Sequence, residues 1–332
     1  MLAACASHPP QMALPQPAAK AARIEVDART GVATAEISVM TYNVAGLPWP
    51  IKKGRGKAMK RIAKEIETLH DAGEAPDVIV LQEAFSAPSA HIGAAYPNRL
   101  RGPRARDRTT TDAPALDKDF KKARNRRKGE RLGKLMPSGL YLFSNYPIVD
   151  SHMTPFRRAS CAGYDCLANK GAMIAVIEIP GAPTPVQILN THLNSNGRSG
   201  VKHERALAAH RQQVDEIGDL LARTLNTDWP LIYAGDFNTR NAEERFEHNA
   251  RTMPGEFVMQ YCLAAAGRCD ARLSWDGDAP WLDTQDLQGF SDGAKAEVRP
   301  VRAEAMFDKP VNGRTLSDHD AYLVTYRLTW RL

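Results

Sequence analysis

Four times along this 332-residue chain, a run of apolar, β-forming residues ends abruptly in polar side chains capable of chemistry. EISVMTYNV closes on Asn43, DVIVLQEAF carries Gln82-Glu83, PVQILNTHL carries Asn190-Thr191-His192, and WPLIYAGDFN carries Asp236-Phe237-Asn238. One polar residue at a strand end is ordinary, because a chain leaving a sheet meets water. Four such ends, with Ser317-Asp318-His319 ahead of the strand-like AYLVTYRLTW, are hard to explain by packing and read as residues chosen for chemistry.

The rest of the pattern says what surrounds that edge. Met59, Ile62, Ile66 and Leu69 recur at helical spacing between Gly56 and His70, and Val214, Ile217, Leu221 and Leu225 do so within Val201 to Asn226. SGLYLFSNYPI and GAMIAVIEI read as further strands, while the stretch after Asn238 is less regular. Strands and helices mixed in this order predict one α/β domain with helices on the outer faces of its sheets. We place that domain at residues 23–332. The Pro- and Ala-rich residues ahead of it read as a tether.

The apolar and charged fractions, 43% and 25%, are those of a globular protein, and no uncharged run is long enough for a transmembrane helix. The formal net charge of +6 is local. Between Arg99 and Lys134 there are 14 Lys or Arg against 5 Asp or Glu, an excess of +9 that leaves −3 elsewhere. With its Pro, Gly and Thr, this segment reads as a mobile surface insertion: a solvated loop, or a surface for lipid phosphates or nucleic acid. Cys161 with Cys166 and Cys262 with Cys269 are spaced for short local disulfides, which implies an oxidising compartment. Leu2-Ala3-Ala4-Cys5 looks like a lipoprotein cleavage box, although the charged and apolar parts of a signal peptide do not precede it. Residues 1–22 are therefore read as a signal remnant plus tether, and the expected location is secreted, periplasmic or lipid-anchored on a bacterial envelope.

Taken in order, TYNVAGLP, VLQEAF, LNTHLN, AGDFNT and LSDHDAYLV resemble the motifs of the endonuclease/exonuclease/phosphatase superfamily, the DNase I-like fold, from about Val39 to Thr325. The resemblance implies a four-layer α/β/β/α sandwich of two facing mixed sheets with the site at one edge. Within that group, YNVAGLPWP, SGLYLFSNYPI and CLANKGAMIAV are similar to segments of bacterial sphingomyelinases.

The residue types suit hydrolysis of a phosphate ester. Glu83 offers a carboxylate and Asn43 a neutral oxygen, a sparse donor set suited to Mg²⁺ or another hard divalent cation such as Mn²⁺. Asp236 would orient the attacking water and Asn238 would donate to a phosphoryl oxygen; lying two apart, they point the same way on an extended chain. His319 would accept the proton near neutral pH, and His192 would act from the far side of phosphorus as a cationic donor or as the acid. Asp318 carries over as a site residue, and Asn169 and Lys170 as contacts to the anionic substrate. The Asp-Tyr pair that many members place ahead of the last motif is missing; Asp283 and Asp286 are the substitutes, with Asp286 favoured to hold His319. The other histidines (His8, His70, His91, His152, His203, His210 and His248) are expected at the surface. Trp275 and Trp281 are expected at an interface or in the core. The leading expectation is a sphingomyelinase-like phosphodiesterase acting on a phospholipid headgroup with peripheral membrane contact. A DNase-like endonuclease acting on nucleic acid and a non-catalytic binding protein are the alternatives.

Overall fold

The computed structural model describes residues 9–47, 51–109, 111–264, 268–273, 279–310 and 313–332. The runs ending at Asn43 and Gln82 become β2 (Val32–Asn43) and β3 (Val78–Gln82), which pair in parallel with Asn43 opposite Gln82. They lie inside an eight-stranded sheet ordered β11 (Asp270–Arg272), β13 (Glu297–Met306), β14 (Ala321–Arg331), β2, β3, β5 (Tyr141–Ser144) and β4 (Asn98–Arg101), with β1 (Ile24–Asp27) also on β2. The second sheet has the order β10 (Glu256–Phe257), β12 (Asp286–Ser291), β9 (Leu231–Asp236), β8 (Val186–His192), β7 (Gly171–Ile177) and β6 (Ile148–Pro155). The stretch after Asn238 that looks irregular in sequence thus supplies β12 and β13. β12 carries buried Gln288, which donates to Val39 O and Tyr322 O of the other sheet, and β13 is broken by a bulge between Pro300 and Arg302.

Period-two alternation explains the continuous apolar runs. Val78 and Val80 face the core between the sheets, while Ile79 and Leu81 face outward onto α1 (Arg55–Asp71) beside Met59, Ile62 and Ile66. On the opposite side, Ile174, Leu189 and Tyr233 pack under α3 (His203–Thr224) against Val214, Ile217 and Leu221. The result is the four-layer α/β/β/α sandwich expected of the DNase I-like fold.

Two segments are more ordered than their composition suggests. The residues read as a tether lie along the sheet: Arg101 N donates to Pro10 O at 2.8 Å, Gln16 N to Asn98 Oδ1 at 2.8 Å, and Lys20 pairs with Asp77 at 2.5 Å. This strap covers edge strand β4 and hides its unpaired backbone. The basic segment read as mobile folds back on itself through α2 (Lys118–Lys122) and is pinned by Glu130. That carboxylate is fully buried, accepts two 2.7 Å bonds from Arg205 of α3, and accepts from Asn125 N and Gly163 N at 2.6 and 2.8 Å. One inward carboxylate among 14 cations cannot be picked out from composition. Both expected disulfides are present, Cys161–Cys166 and Cys262–Cys269. No helix among the described residues is long and apolar enough to cross a membrane.

Candidate active site

Strand register assembles the site. His192, Asp236 and Asp286 end three hydrogen-bonded strands as direct cross-strand neighbours, His192 opposite Asp236 and Asp236 opposite Asp286. Asn43 and Glu83 end the facing sheet. Asn43 Nδ2 donates to Asp236 Oδ2 at 2.8 Å and so ties the two sheets at their edge. His319 enters just before β14, whose first residues pair with the end of β2.

Ala45, Glu83 and Asn238 are three of five non-glycine residues among those described with φ in the left-handed region, at 49°, 52° and 53°. Such backbone costs about 1–3 kcal/mol per residue and persists only where the surroundings enforce it. Here it turns each chain sharply out of its strand, and at Glu83 and Asn238 it presents the side chain to a common cavity. Gly46 completes this packing: its N–H donates to Glu83 O at 3.0 Å, and a β-carbon there would lie 2.4 Å from that oxygen.

The cavity, about 350 Å³, is two-faced. Glu83, Asp165, Lys170, His192, Asp236, Asn238 and His319 form its floor, and Leu47, Ile51, Phe85, Met136, Leu167 and Ala168 form an apolar wall. The volume is that of a small-molecule site. A larger hollow of about 550 Å³ near Lys20 and Arg327 holds none of these groups.

Electrostatics divides the floor into roles. Burial pushes the Asp236 carboxyl up to about 7, against the pull of the His319 charge. Burial also opposes a charge on His319, but Asp286 overcomes it: Asp286 Oδ2 lies 2.6 Å from His319 Nδ1 and, with Asp236, raises this histidine to about 10. The bond leaves Nε2 turned to the cavity, 3.4 Å from Gln285 Nε2. Of the two candidate carboxylates Asp286 is the one bonded to His319, while Asp283 pairs with Arg240 at 3.5 Å. The raised value departs from the expectation of an ordinary histidine near neutrality: beside Asp286, His319 carries its proton at pH 7.

His192 behaves in the opposite way. Burial, then the neighbouring Lys170 and His319 charges, hold it well below its usual range, so it is neutral and not the cationic donor expected from sequence. Its Nε2 sits 3.0 Å from Lys170 Nζ and 3.3 Å from Asp236 Oδ2, and its buried Nδ1 has no hydrogen-bond partner among the described residues. The positive charge at this place is Lys170, which donates to Leu193 O at 2.9 Å and pairs closely with Asp165. Asp165 was not singled out in the sequence; it is held in the Cys161–Cys166 loop and also accepts from Ser195 N at 3.1 Å.

Other expected site residues fall differently. Asn238 donates its side-chain amide to Leu193 O at 3.0 Å and its backbone N–H to Asp236 Oδ1 at 3.0 Å, so it fixes the turn around Asp236. Asn169 faces away from the cavity and donates to the carbonyls of Arg104 and Asp107 at 2.7 and 3.1 Å, bracing the loop after β4. Asp318 sits at the cavity mouth between Lys52 at 3.2 Å and Arg198 at 2.6 Å. His210, expected at the surface, is fully buried and meets Phe237 O at 2.8 Å; His8 and Trp275 lie outside the described residues. Trp281 is half-buried against Phe246, on the core side of the two expectations.

Two groups of side chains qualify for a divalent cation. Asp236, Asp286 and His319 bring ligand atoms within 4.8 Å of one another, but His319 Nδ1 is already committed to Asp286 and the ring is protonated, which unfits it as a ligand. The Glu83 carboxylate lines the cavity with no hydrogen bond or ion pair among the described residues, and Asn43 Oδ1 accepts only Ala45 N, at 3.0 Å. A hard cation fits the second group better.

A two-sheet sandwich whose strand ends gather carboxylates, amides and two histidines around one cavity is the architecture of phosphoester-cleaving enzymes. The chain belongs to the Endonuclease/Exonuclease/phosphatase family, matching it over residues 40–289. No curated protein matches it in sequence. Among solved structures, sphingomyelinase C from Streptomyces griseocarneus is similar at 21% identity over 87% of this chain and 99% of that one, with a TM-score of 0.59. A beta toxin mutant from Staphylococcus aureus with bound magnesium ions is similar at 18% identity, covering 90% and 100%, with a TM-score of 0.60. D. rerio TDP2 complexed with a single-strand DNA product is similar at 16% identity, covering 88% and 98%, with a TM-score of 0.56. Identities this low establish the shared fold.

Proposed function

We propose that the protein is a cation-dependent phosphodiesterase, similar to sphingomyelinases, that hydrolyses a phospholipid headgroup ester by direct attack of water. The observation that carries this reading is the two-faced cavity: a charged floor of strand-end residues beside an apolar wall from Leu47, Phe85, Met136 and Leu167. A phosphodiester with an apolar portion fits both faces, whereas a nucleic-acid backbone leaves the wall unused.

In this reading His319 Nε2, oriented by Asp286, takes the proton from the attacking water once it has lost its own. Asp236 and the Asn238 turn position that water. Lys170 places positive charge beside neutral His192, where a phosphoryl oxygen gains charge during attack, and the Lys170–His192 pair supplies the proton to the departing alkoxide. Asp318, bridged to Lys52 and Arg198, shapes the mouth. Glu83 and Asn43 would hold Mg²⁺ or another hard divalent cation such as Mn²⁺, which polarises a phosphoryl oxygen when bound. Asn169 serves this site only by bracing the neighbouring loop. The two disulfides suit a secreted or periplasmic protein.

The test is a panel assay of purified protein with Mg²⁺ on sphingomyelin vesicles, phosphatidylcholine vesicles, plasmid DNA and inositol phosphates. Cleavage of a vesicle lipid that releases a phosphorylated headgroup supports the reading. Plasmid cleavage with no activity on either vesicle contradicts it and favours the nuclease.

A further inference from the structure

The described residues leave ten large apolar side chains exposed, and four of them gather at one place. Ile51 and Tyr164, 64% and 49% exposed, line the cavity itself. Leu132 and Leu135, 50% and 65% exposed, stand on the basic insertion where it passes over the cavity wall. The geometry ties these positions together. Leu135 N donates to Leu167 O at 2.7 Å, and Leu167 lines the cavity. The turn that begins at Gly129 and carries Leu132 rests on the Leu167 side chain, and Lys128 Nζ sits 5.4 Å above the Tyr164 ring. Because Glu130 and Arg205 fix the insertion, these side chains are held outward.

Resting on the reading of the site as a lipid phosphodiesterase, we propose that this mouth docks on an anionic bilayer, with Leu132 and Leu135 entering the interface and the insertion's cations meeting lipid phosphates. The charge on the same segment argues for that occupant. Arg126, Arg127 and Arg131 are exposed, whereas Glu130, the carboxylate nearest them in sequence, is buried and spent on Arg205, and the segment's other acids lie at Asp119 or earlier. Exposed leucines interleaved with arginines, on a segment whose cations outnumber its acids 14 to 5, match a surface that is apolar at depth and anionic at the headgroups. A nucleic acid would be served by the cations alone and would leave the leucines in water. Docked this way, the mouth faces the headgroups, so a lipid ester reaches the floor without leaving the membrane.

Cosedimentation with phosphatidylcholine–phosphatidylglycerol vesicles, in EDTA so that no turnover intervenes, tests the surface. The double variant Leu132→Asp, Leu135→Asp should bind at least about tenfold more weakly than wild type, since two buried leucines are lost. Arg126→Ser with Arg127→Ser should weaken binding about fivefold per charge. Both variants should hydrolyse bis(p-nitrophenyl) phosphate with Mg²⁺ as wild type does. Unchanged vesicle binding by the leucine variant overturns the proposal. So does a wild-type protein that ignores both vesicle types yet retards DNA through Arg126 and Arg127, an outcome that gives the face to nucleic acid. Failure of wild type to cleave the soluble diester counts against the catalytic reading alone and leaves the vesicle result standing.

Discussion

At the floor of the cavity, His192, Asp236 and Asp286 stand side by side on three hydrogen-bonded strands, and Asn43 reaches across from the other sheet. At its rim, the basic insertion is held by side chains: buried Glu130 is gripped by Arg205, Thr111 donates to Asp219, and Asn169 holds the Arg104 and Asp107 carbonyls. The floor is therefore over-determined by backbone register, while the rim is fastened by individual side chains and its surface charges are free to vary. Substitutions at the floor should cost turnover with little loss of fold. Those at the fastening should cost stability, and those on the rim surface should leave chemistry on small substrates untouched.

The largest effect is expected from His319→Ala and Asp236→Ala, each lowering kcat on bis(p-nitrophenyl) phosphate by at least about 10²-fold while the protein stays folded at the assay temperature. If either variant unfolds or turns over normally, that residue's assignment falls. Asp286→Asn comes next. Asp286 raises His319, so activity should climb with pH as His319 loses its proton, and removing the charge should move this rise to lower pH. The maximum should fall about tenfold, because the ring is less well oriented. A rise that stays in place would break the link. The same pair sets a stability trend in EDTA. A histidine whose folded value lies above the unfolded one stabilises fully below about 6.5 and loses that contribution as pH rises toward about 10, so wild type should melt progressively lower over that span and Asp286→Asn should show a flatter trend.

The rim gives smaller or differently placed effects. Glu130→Gln leaves the Arg205 charge facing a neutral amide and should cost about 3 kcal/mol, read by urea unfolding, while limited proteolysis should then cut the insertion. Resistance to protease would mean that the insertion is held by other contacts. Replacing Arg126, Arg127 and Lys128 with Ser should change kcat/KM on the soluble diester by less than about twofold, since these side chains touch no floor residue.

How much of this was legible in the sequence follows the same division. Each apolar run named its strand and the polar residue at its end, because strand periodicity forces those side chains to the sheet edge; Asn43, Glu83, His192, Asp236 and His319 all meet there. Asp286 was legible only as a favourite, since its pairing with Asp236 depends on a strand of broken alternation. Less accessible were effects that arise from tertiary environment. Burial beside Lys170 neutralises His192, and Asp165 becomes that lysine's partner only once the Cys161–Cys166 loop is folded against the site. Asn169 shows the limit of adjacency: it neighbours Lys170 in sequence but points to the opposite side of the strand entrance and braces a loop. The strap ahead of Arg23 and the anchored insertion were misjudged for one reason, that composition reports mean polarity while a few specific hydrogen bonds decide whether a segment is held.

In the proposed function Glu83 and Asn43 would hold a divalent cation on which hydrolysis depends. The direct measurement is turnover of bis(p-nitrophenyl) phosphate by metal-stripped wild type and Glu83→Gln as Mg²⁺ is titrated in. The prediction is no turnover at zero Mg²⁺, saturable recovery in wild type, and a requirement for at least about tenfold more Mg²⁺ in Glu83→Gln, because a cavity carboxylate with no ion pair among the described residues has lost its charge. Full turnover by the stripped enzyme, or the same Mg²⁺ dependence in both proteins, would contradict it.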